Sequence, residues 1–383
     1  MKKIYFDYNS TTPLDPRVAE VMKPLMDNGF GNPSSIHSFG NEAKATLDES
    51  REKVAKFLGS KTSEIVFTCG GSESNNFAIK GVAWANINKG NHLITTSVEH
   101  ASCLEVFKFL GRFGFDVTYL PVDSYGLIDL DQLVDSISDK TILISCMYVN
   151  NETGVINPII EIGEIARQKG IIFHTDAVQA AGKIELSLKD MPVDLASVSS
   201  HKIYGPKGVG ALYIKKGTQL ESLVHGGGQE RGKRSGTENV PGIFGFGKSC
   251  ELAIEEQNEE ILRINELTKV LTDGILNNVK GTYINGHLEK RVSNTINVGF
   301  DDIEGDSLVM NLDLEGVAAS TGSACSEGNV DPSHVLLAMG LNKEKAISSL
   351  RLSLGRFTKL EEINTFLEIL PEVVNRIREL KEF

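Results

Sequence analysis

The chain has 383 residues, of which 40% are hydrophobic and 23% charged, so wholesale disorder is excluded and a large core needs no disulfides or structural metal. Lys and Arg number 39 against 51 Asp and Glu. The resulting formal charge of −12 argues against a nucleic-acid or anionic-membrane surface as the main role of the chain. The five cysteines (Cys69, Cys103, Cys146, Cys250, Cys325) include no C-x-x-C pair, which speaks against a zinc ribbon or disulfide framework and for a reducing compartment. All but Cys325 sit in apolar runs and are expected to be small buried hydrophobes. The N-terminus turns polar after six residues and no apolar stretch is long enough to span a bilayer, so a soluble, cytoplasmic protein is expected. The Asn9-Ser10-Thr11 sequon then has no expected role.

In chain order, apolar runs predict strands at Glu64–Thr68, His92–Thr96, Asp116–Pro121, Thr141–Met147, Gly170–His174, Leu195–Ser199 and Gly210–Ile214. Helical patterns fall between several of them, including Ser72–Trp84 and Ile160–Gln168. This alternation reads as an α/β fold with a mostly parallel sheet covered by helices. Residues 225–242 form a glycine-rich, basic stretch with the texture of a long functional loop. A long helix is predicted from about Pro241 to Val279, and strand-like Thr295–Gly299 belongs to a smaller C-terminal unit. The boundary is placed near residue 260.

Four clusters invite a chemical reading. At Gly70-Gly71-Ser72-Glu73 a buried strand runs into a helix start, a ready phosphate cradle but also an ordinary α/β turn. Gly242 to Ser249 matches the P-loop pattern letter for letter. Its context is wrong, because a polar loop precedes it and Pro241 already looks helical, so a chance match is expected. His174 and Asp176 alternate onto one face at the carboxyl end of a strand, where open α/β sheets hold ligands. Finally, Lys202 follows a buried strand among Ser199, Ser200 and His201, where desolvation can turn a lysine into a nucleophilic amine. A cradle, a carboxylate and a lysine are together what pyridoxal 5′-phosphate requires.

The motifs SSHKIYGPKGVGALY, HTDAVQ, VNNETG and SVEH, with YFDYNSTTP near the start and SSLRLSLGRFT near the end, resemble the cysteine desulfurases. These are fold-type-I enzymes of the class-V aminotransferase family, and the resemblance covers almost the whole chain. It implies a large cofactor domain at 16–260 and a small domain of 1–15 plus 261–383, with a mobile loop at about 320–334. The spacing from Ser320 through Cys325 to His334 is similar to the branch serving nitrogenase and housekeeping iron–sulfur assembly.

Roles follow from the resemblance. Lys202 attaches the cofactor covalently and moves the substrate α-proton, and Asp176 pairs with the ring nitrogen. His100 stacks on the ring, while Gln179 reaches the phenolic oxygen beside Asn151. Gly71, Ser72, Ser199 and His201 hold the phosphate, completed by Thr237 across a homodimer interface. Arg351 and Asn32 grip the substrate carboxylate. Cys325 attacks the substrate sulfur, so that L-cysteine leaves as L-alanine and a persulfide stays on the enzyme. No intrinsic metal is implied, although the persulfide could meet a cluster held by an iron–sulfur scaffold or another acceptor protein. Ser72 replaces the threonine of many relatives but keeps the hydroxyl. The chain stops at Arg378-Glu379-Leu380-Lys381-Glu382-Phe383, whereas housekeeping members often carry a longer tail that docks the scaffold protein, so whether a scaffold docks by that route is left open. A selenocysteine lyase or class-V aminotransferase would use the same fixtures. A P-loop hydrolase and a non-catalytic binding module are the rivals from other classes.

Overall fold

The computed structural model describes residues 3–321 and 331–381. Strands β1 (Ile4–Tyr5), β2 (Ile65–Thr68), β3 (His92–Thr96), β4 (Asp116–Leu120), β5 (Thr141–Ser145), β6 (Ile172–Asp176), β7 (Leu195–Ser199) and β8 (Gly210–Ile214) come first. They are followed by β9 (Thr282–Asn285), β10 (Thr295–Phe300), β11 (Val317–Ala318) and β12 (Ser349–Ser353). Seven of them build the central sheet in the order β2-β8-β7-β6-β5-β3-β4. Only β8 runs against its neighbours, so the sheet is mostly parallel, as the alternating runs predict.

Every residue of β3, β5 and β7 is buried, because helices cover both faces. On one face Phe77, Val82 and Phe107 pack from the helices Gly71–Ala85 and Ala101–Gly111. On the other, Val54, Ile162 and Phe246 pack from Ser38–Phe57, Ile159–Lys169 and Val240–Asn278. Strand β6 begins two residues later than its apolar run suggests. Gly170, at φ +68°, first closes the preceding helix in the left-handed conformation.

A second, antiparallel sheet of order β12-β10-β9 carries its own core of Ile264, Leu271, Val298, Leu352 and Phe366. The N-terminus joins it: β1 pairs with β11, and Phe6 meets Phe366 edge-on at 5.4 Å. The 39-residue helix Val240–Asn278 serves both cores, giving Ile243 and Cys250 to the first and Leu271 and Ile275 to the second. Between these stretches lies an ionic seam, in which Arg356 binds Asp15 and Glu260, each at 2.9 Å.

Two sequence readings meet specific outcomes here. The P-loop look-alike lies wholly inside the long helix, where a Cβ on Gly245 would come within 2.4 Å of the Met22 sulfur. Lys248 there pairs with Glu251 at 2.5 Å, so no loop exists to wrap a phosphate. Cys69 corrects the expectation of four buried thiols. Cys103, Cys146 and Cys250 are buried, but Cys69 is exposed, because β2 ends at Thr68 and leaves it on the sheet edge. Among the described residues, no helix is long and apolar enough to cross a membrane.

Candidate active site

Loops leaving the carboxyl ends of the parallel strands converge on a cleft of about 400 Å³. After β2 the chain turns through Gly70, at φ +153°, into the helix Gly71–Ala85. No side chain caps this helix, so its first amides point at the cleft without intrahelical acceptors. A Cβ on Gly71 would sit 2.8 Å from Val178 Cγ2, so only glycine fits this approach. Beside the turn, the Ser199 hydroxyl is buried without a partner. An uncapped helix start next to an orphan hydroxyl is a site for an anion.

Asp176 ends β6 at the cleft floor. Its carboxylate accepts from Asn75 Nδ2 at 2.7 Å and from the Val178 amide at 2.9 Å. The same Asn75 amide donates to Ser102 Oγ at 2.9 Å, and Ser102 Oγ lies 2.8 Å from His100 Nδ1. The Ser102 backbone amide also donates to that nitrogen at 3.1 Å. Nδ1 is therefore the acceptor, and a neutral His100 carries its proton on Nε2. Burial, with Lys202 nearby, lowers the His100 pKa against the pull of Asp176. His174, two residues below Asp176, is buried between Ser145 Oγ at 2.8 Å and Ser197 Oγ at 3.0 Å. Burial pushes its pKa down to about 3, which makes it a neutral structural histidine.

Lys202 enters from the turn after β7. Its amine donates to the carbonyls of Asn9 and Ser10, the latter at 2.7 Å. Burial above all, and then the Arg351 cation, bring its pKa down to about 8. His201 beside it is lowered to about 4 by burial and by the lysines at 202 and 207. Arg351, projecting from β12, binds Asp7 at 2.7 Å, Ser10 Oγ at 2.8 Å and the Asn151 carbonyl at 3.1 Å.

Of the residues singled out by sequence, Gly71, Ser72, Ser199, His100, Asp176 and Asn151 line this cleft. Gln179, His201, Lys202 and Arg351 line it as well. Asn32 and Thr237 do not line the cleft of their own chain and are exposed, because each lies in a surface loop. Cys325 lies outside the described residues. Sequence reasoning missed Asn75 and Ser102, which sit one turn into a helix and just after an N-cap, where polar residues are commonplace. It also missed Asn9, Ser10 and Lys183. A lysine of depressed pKa, an anchored carboxylate and an anion-binding turn in one cleft fit pyridoxal phosphate.

The Aminotransferase class-V family model matches residues 4–366, and the chain belongs to that family. It is 50% identical over 382 residues to the cysteine desulfurase IscS of Dictyoglomus turgidum, spanning 100% of this chain and 97% of that one. A solved NifS-like protein superposes with a TM-score of 0.92 at 41% identity, covering 97% of this chain and 99% of the other. A second structure, SspA in complex with cysteine, gives 0.83 at 40% identity, covering 93% and 100%. The fold is fold-type I, and the cofactor is pyridoxal 5′-phosphate.

Proposed function

We infer that this chain is a cysteine desulfurase that converts L-cysteine to L-alanine and passes the sulfur to an enzyme thiol. The observation that carries the reading is the meeting of Lys202, Asp176, His100 and the Gly71–Ser72 turn in one cleft. When bound, the cofactor supplies an electron sink that makes the substrate α-proton removable and the C–S bond breakable.

The chain's residues supply the rest. Lys202, with its lowered pKa, offers an amine that can add to an aldehyde and afterwards carry a proton at Nζ. Asp176, held at both oxygens, would pair with the ring nitrogen of the cofactor. His100 presents a proton on Nε2, while Gly71, Ser72, Ser199 and His201 receive the phosphate. Gln179 and Asn151 serve the phenolic edge, and Arg351 the substrate carboxylate, with Asn32 beside it. Cys325 as thiolate forms an S–S bond to the substrate sulfur as the C–S bond breaks. The carbon left behind takes up a proton, so a thiol plus cysteine becomes a persulfide plus alanine.

The working form is a homodimer in which Thr237 of the partner subunit completes the phosphate cradle. Exposed Thr237, absent from its own cleft, and exposed Phe30, Ile36 and Phe39 around Asn32 support this. The division into 16–260 and 1–15 plus 261–383 draws support from the two separate cores and the ionic seam. Scaffold or other sulfur-acceptor proteins in the cytoplasm receive the persulfide.

The purified protein is expected to be yellow, to bleach on borohydride and to lose its colour in Lys202→Ala. It should release alanine and sulfide from cysteine in the presence of a thiol. Cys325→Ala should keep the colour and abolish sulfide. A colourless protein that binds nucleotide through Lys248 would overturn the reading, and far faster alanine release from selenocysteine would reassign the substrate.

A further inference from the structure

Lys183 is a partly buried lysine behind the cleft residues Asn9 and Gln179, and the proposed chemistry has no use for it. Its amine donates to the side-chain oxygens of Gln179 and Asn9, the latter at 3.0 Å. Asn9 is 2% exposed and fully engaged. Its Nδ2 donates to the Asn151 carbonyl at 3.1 Å and to Thr295 Oγ1 at 2.9 Å, and its amide to Ser353 Oγ at 2.9 Å. Asn294 Nδ2 donates to its Oδ1 at 3.1 Å. A carbonyl can only accept, so the Asn151 carbonyl fixes which end of the Asn9 amide faces Lys183. Gln179 is fixed in the same way, because its Nε2 donates to the Asn9 carbonyl at 3.0 Å. Both atoms facing Lys183 Nζ are therefore acceptors, and an amine has two hydrogens to give them whether or not it is protonated. One hydrogen of Gln179 Nε2 then remains for the cleft that Gln179 lines.

We propose that Lys183 is a positioning residue: with Asn9 it clasps the Gln179 amide so that its free N–H stays aimed at the phenolic edge of the cofactor. The proposal rests on the cofactor reading above and deepens it. Local backbone geometry suits the task. Lys183 follows Gln179 by four residues in a tight turn, and a Cβ on Gly182, at φ +74°, would sit 2.8 Å from Ile203 Cγ2. The turn is thereby pressed against the residue that follows Lys202.

A lysine that only fills space predicts something different. The experiment measures the visible absorption maximum and the rate of cofactor loss in purified holoenzyme for wild type, Lys183→Met, Lys183→Arg, Gln179→Leu and the Lys183→Met/Gln179→Leu double variant. Lys183→Met should shift the maximum in the same direction as Gln179→Leu and speed cofactor loss about three- to tenfold, the range for one hydrogen bond. The double variant should be no worse than Gln179→Leu alone, and Lys183→Arg, which keeps the donors, should restore the wild-type maximum. Additive losses in the double variant, or a lowered Tm with an unmoved maximum, would overturn the clasp. Should Lys183→Met not accumulate as folded protein, Lys183→Gln in the same two backgrounds reads the same coupling. A wild-type protein without a visible band refutes the cofactor reading and the clasp together; a normal band with additive losses refutes the clasp alone.

Discussion

The lowered pKa of Lys202 has a kinetic consequence that can be measured before any turnover. Only a neutral amine adds to an aldehyde. With a pKa of about 8, roughly 9% of the Lys202 amines are neutral at pH 7, against about 0.03% for an ordinary lysine, a gain of some 300-fold. The cause is burial first and the Arg351 cation second, opposed by Asp7 and Asp176. Stripped of cofactor and mixed with pyridoxal phosphate in a stopped-flow spectrometer, the protein should gain its visible band with a rate constant that rises about tenfold from pH 6 to pH 7 and levels off above about pH 8. Arg351→Gln removes a cation and moves the plateau up. Asp176→Asn removes a carboxylate and moves it down. A rate that keeps climbing tenfold per pH unit to pH 10, or a plateau indifferent to both substitutions, would refute the idea that the cleft activates this amine.

Three further outcomes follow from burial and pairing. Glu230 and Arg51, both 5% exposed, share two 2.7 Å bonds, and Glu230 also accepts the Phe67 amide. Glu230→Ala should therefore cost about 3–5 kcal/mol in urea unfolding, because it strands a buried guanidinium; a loss below 1 kcal/mol would contradict this. Burial alone would raise the Asp15 pKa, but hydrogen bonds from Arg17 and Arg356 outweigh it and hold the carboxyl at about 2. Its contribution, of order 2 kcal/mol, is complete above about pH 5 and lost progressively as the pH falls toward 1, so Asp15→Asn should lower stability at pH 6 and flatten that acid limb. Leu271→Ala, at a fully buried position of the second core, should cost about 2–5 kcal/mol in denaturant while leaving the visible band of the folded protein intact.

Much of this was legible in the sequence, for a physical reason. Strands covered on both faces need unbroken apolar runs, so β3, β7 and β8 appear at the residues their composition predicts. A lysine at a strand end, a carboxylate at a strand end and a glycine turn each stand out by residue type, so Lys202, Asp176 and Gly71 could be picked out singly, and the fold brings them to one cleft. Asn9 could not. Its polar groups join Lys202, Gln179 and Asn151 to β10 and β12, and no spacing in a linear sequence announces partners some 140 to 340 residues away. Asn75 and Ser102 failed for a similar reason, since a polar residue near a helix start is more often a cap than a relay. Asn32 and Thr237 sit on the outside of their own chain, where a single copy gives no measure of their use.

The placement of charge also resolves an apparent conflict in the composition. A chain of formal charge −12 should repel an anionic cofactor and an amino-acid carboxylate. The cleft reverses that sign locally: Lys202, Arg351 and the Gly71 turn line it, and Asp176 is the acid among the described residues that do. Asp7 already holds Arg351, leaving Asp176 as the carboxylate at the cleft floor. Arg351 also adds to the burial that depresses Lys202, so the cation that favours anion binding contributes to amine activation. Raising ionic strength should weaken capture of free cofactor by the stripped protein more than it changes the spectrum of the loaded one, because only the encounter takes place through screened solvent.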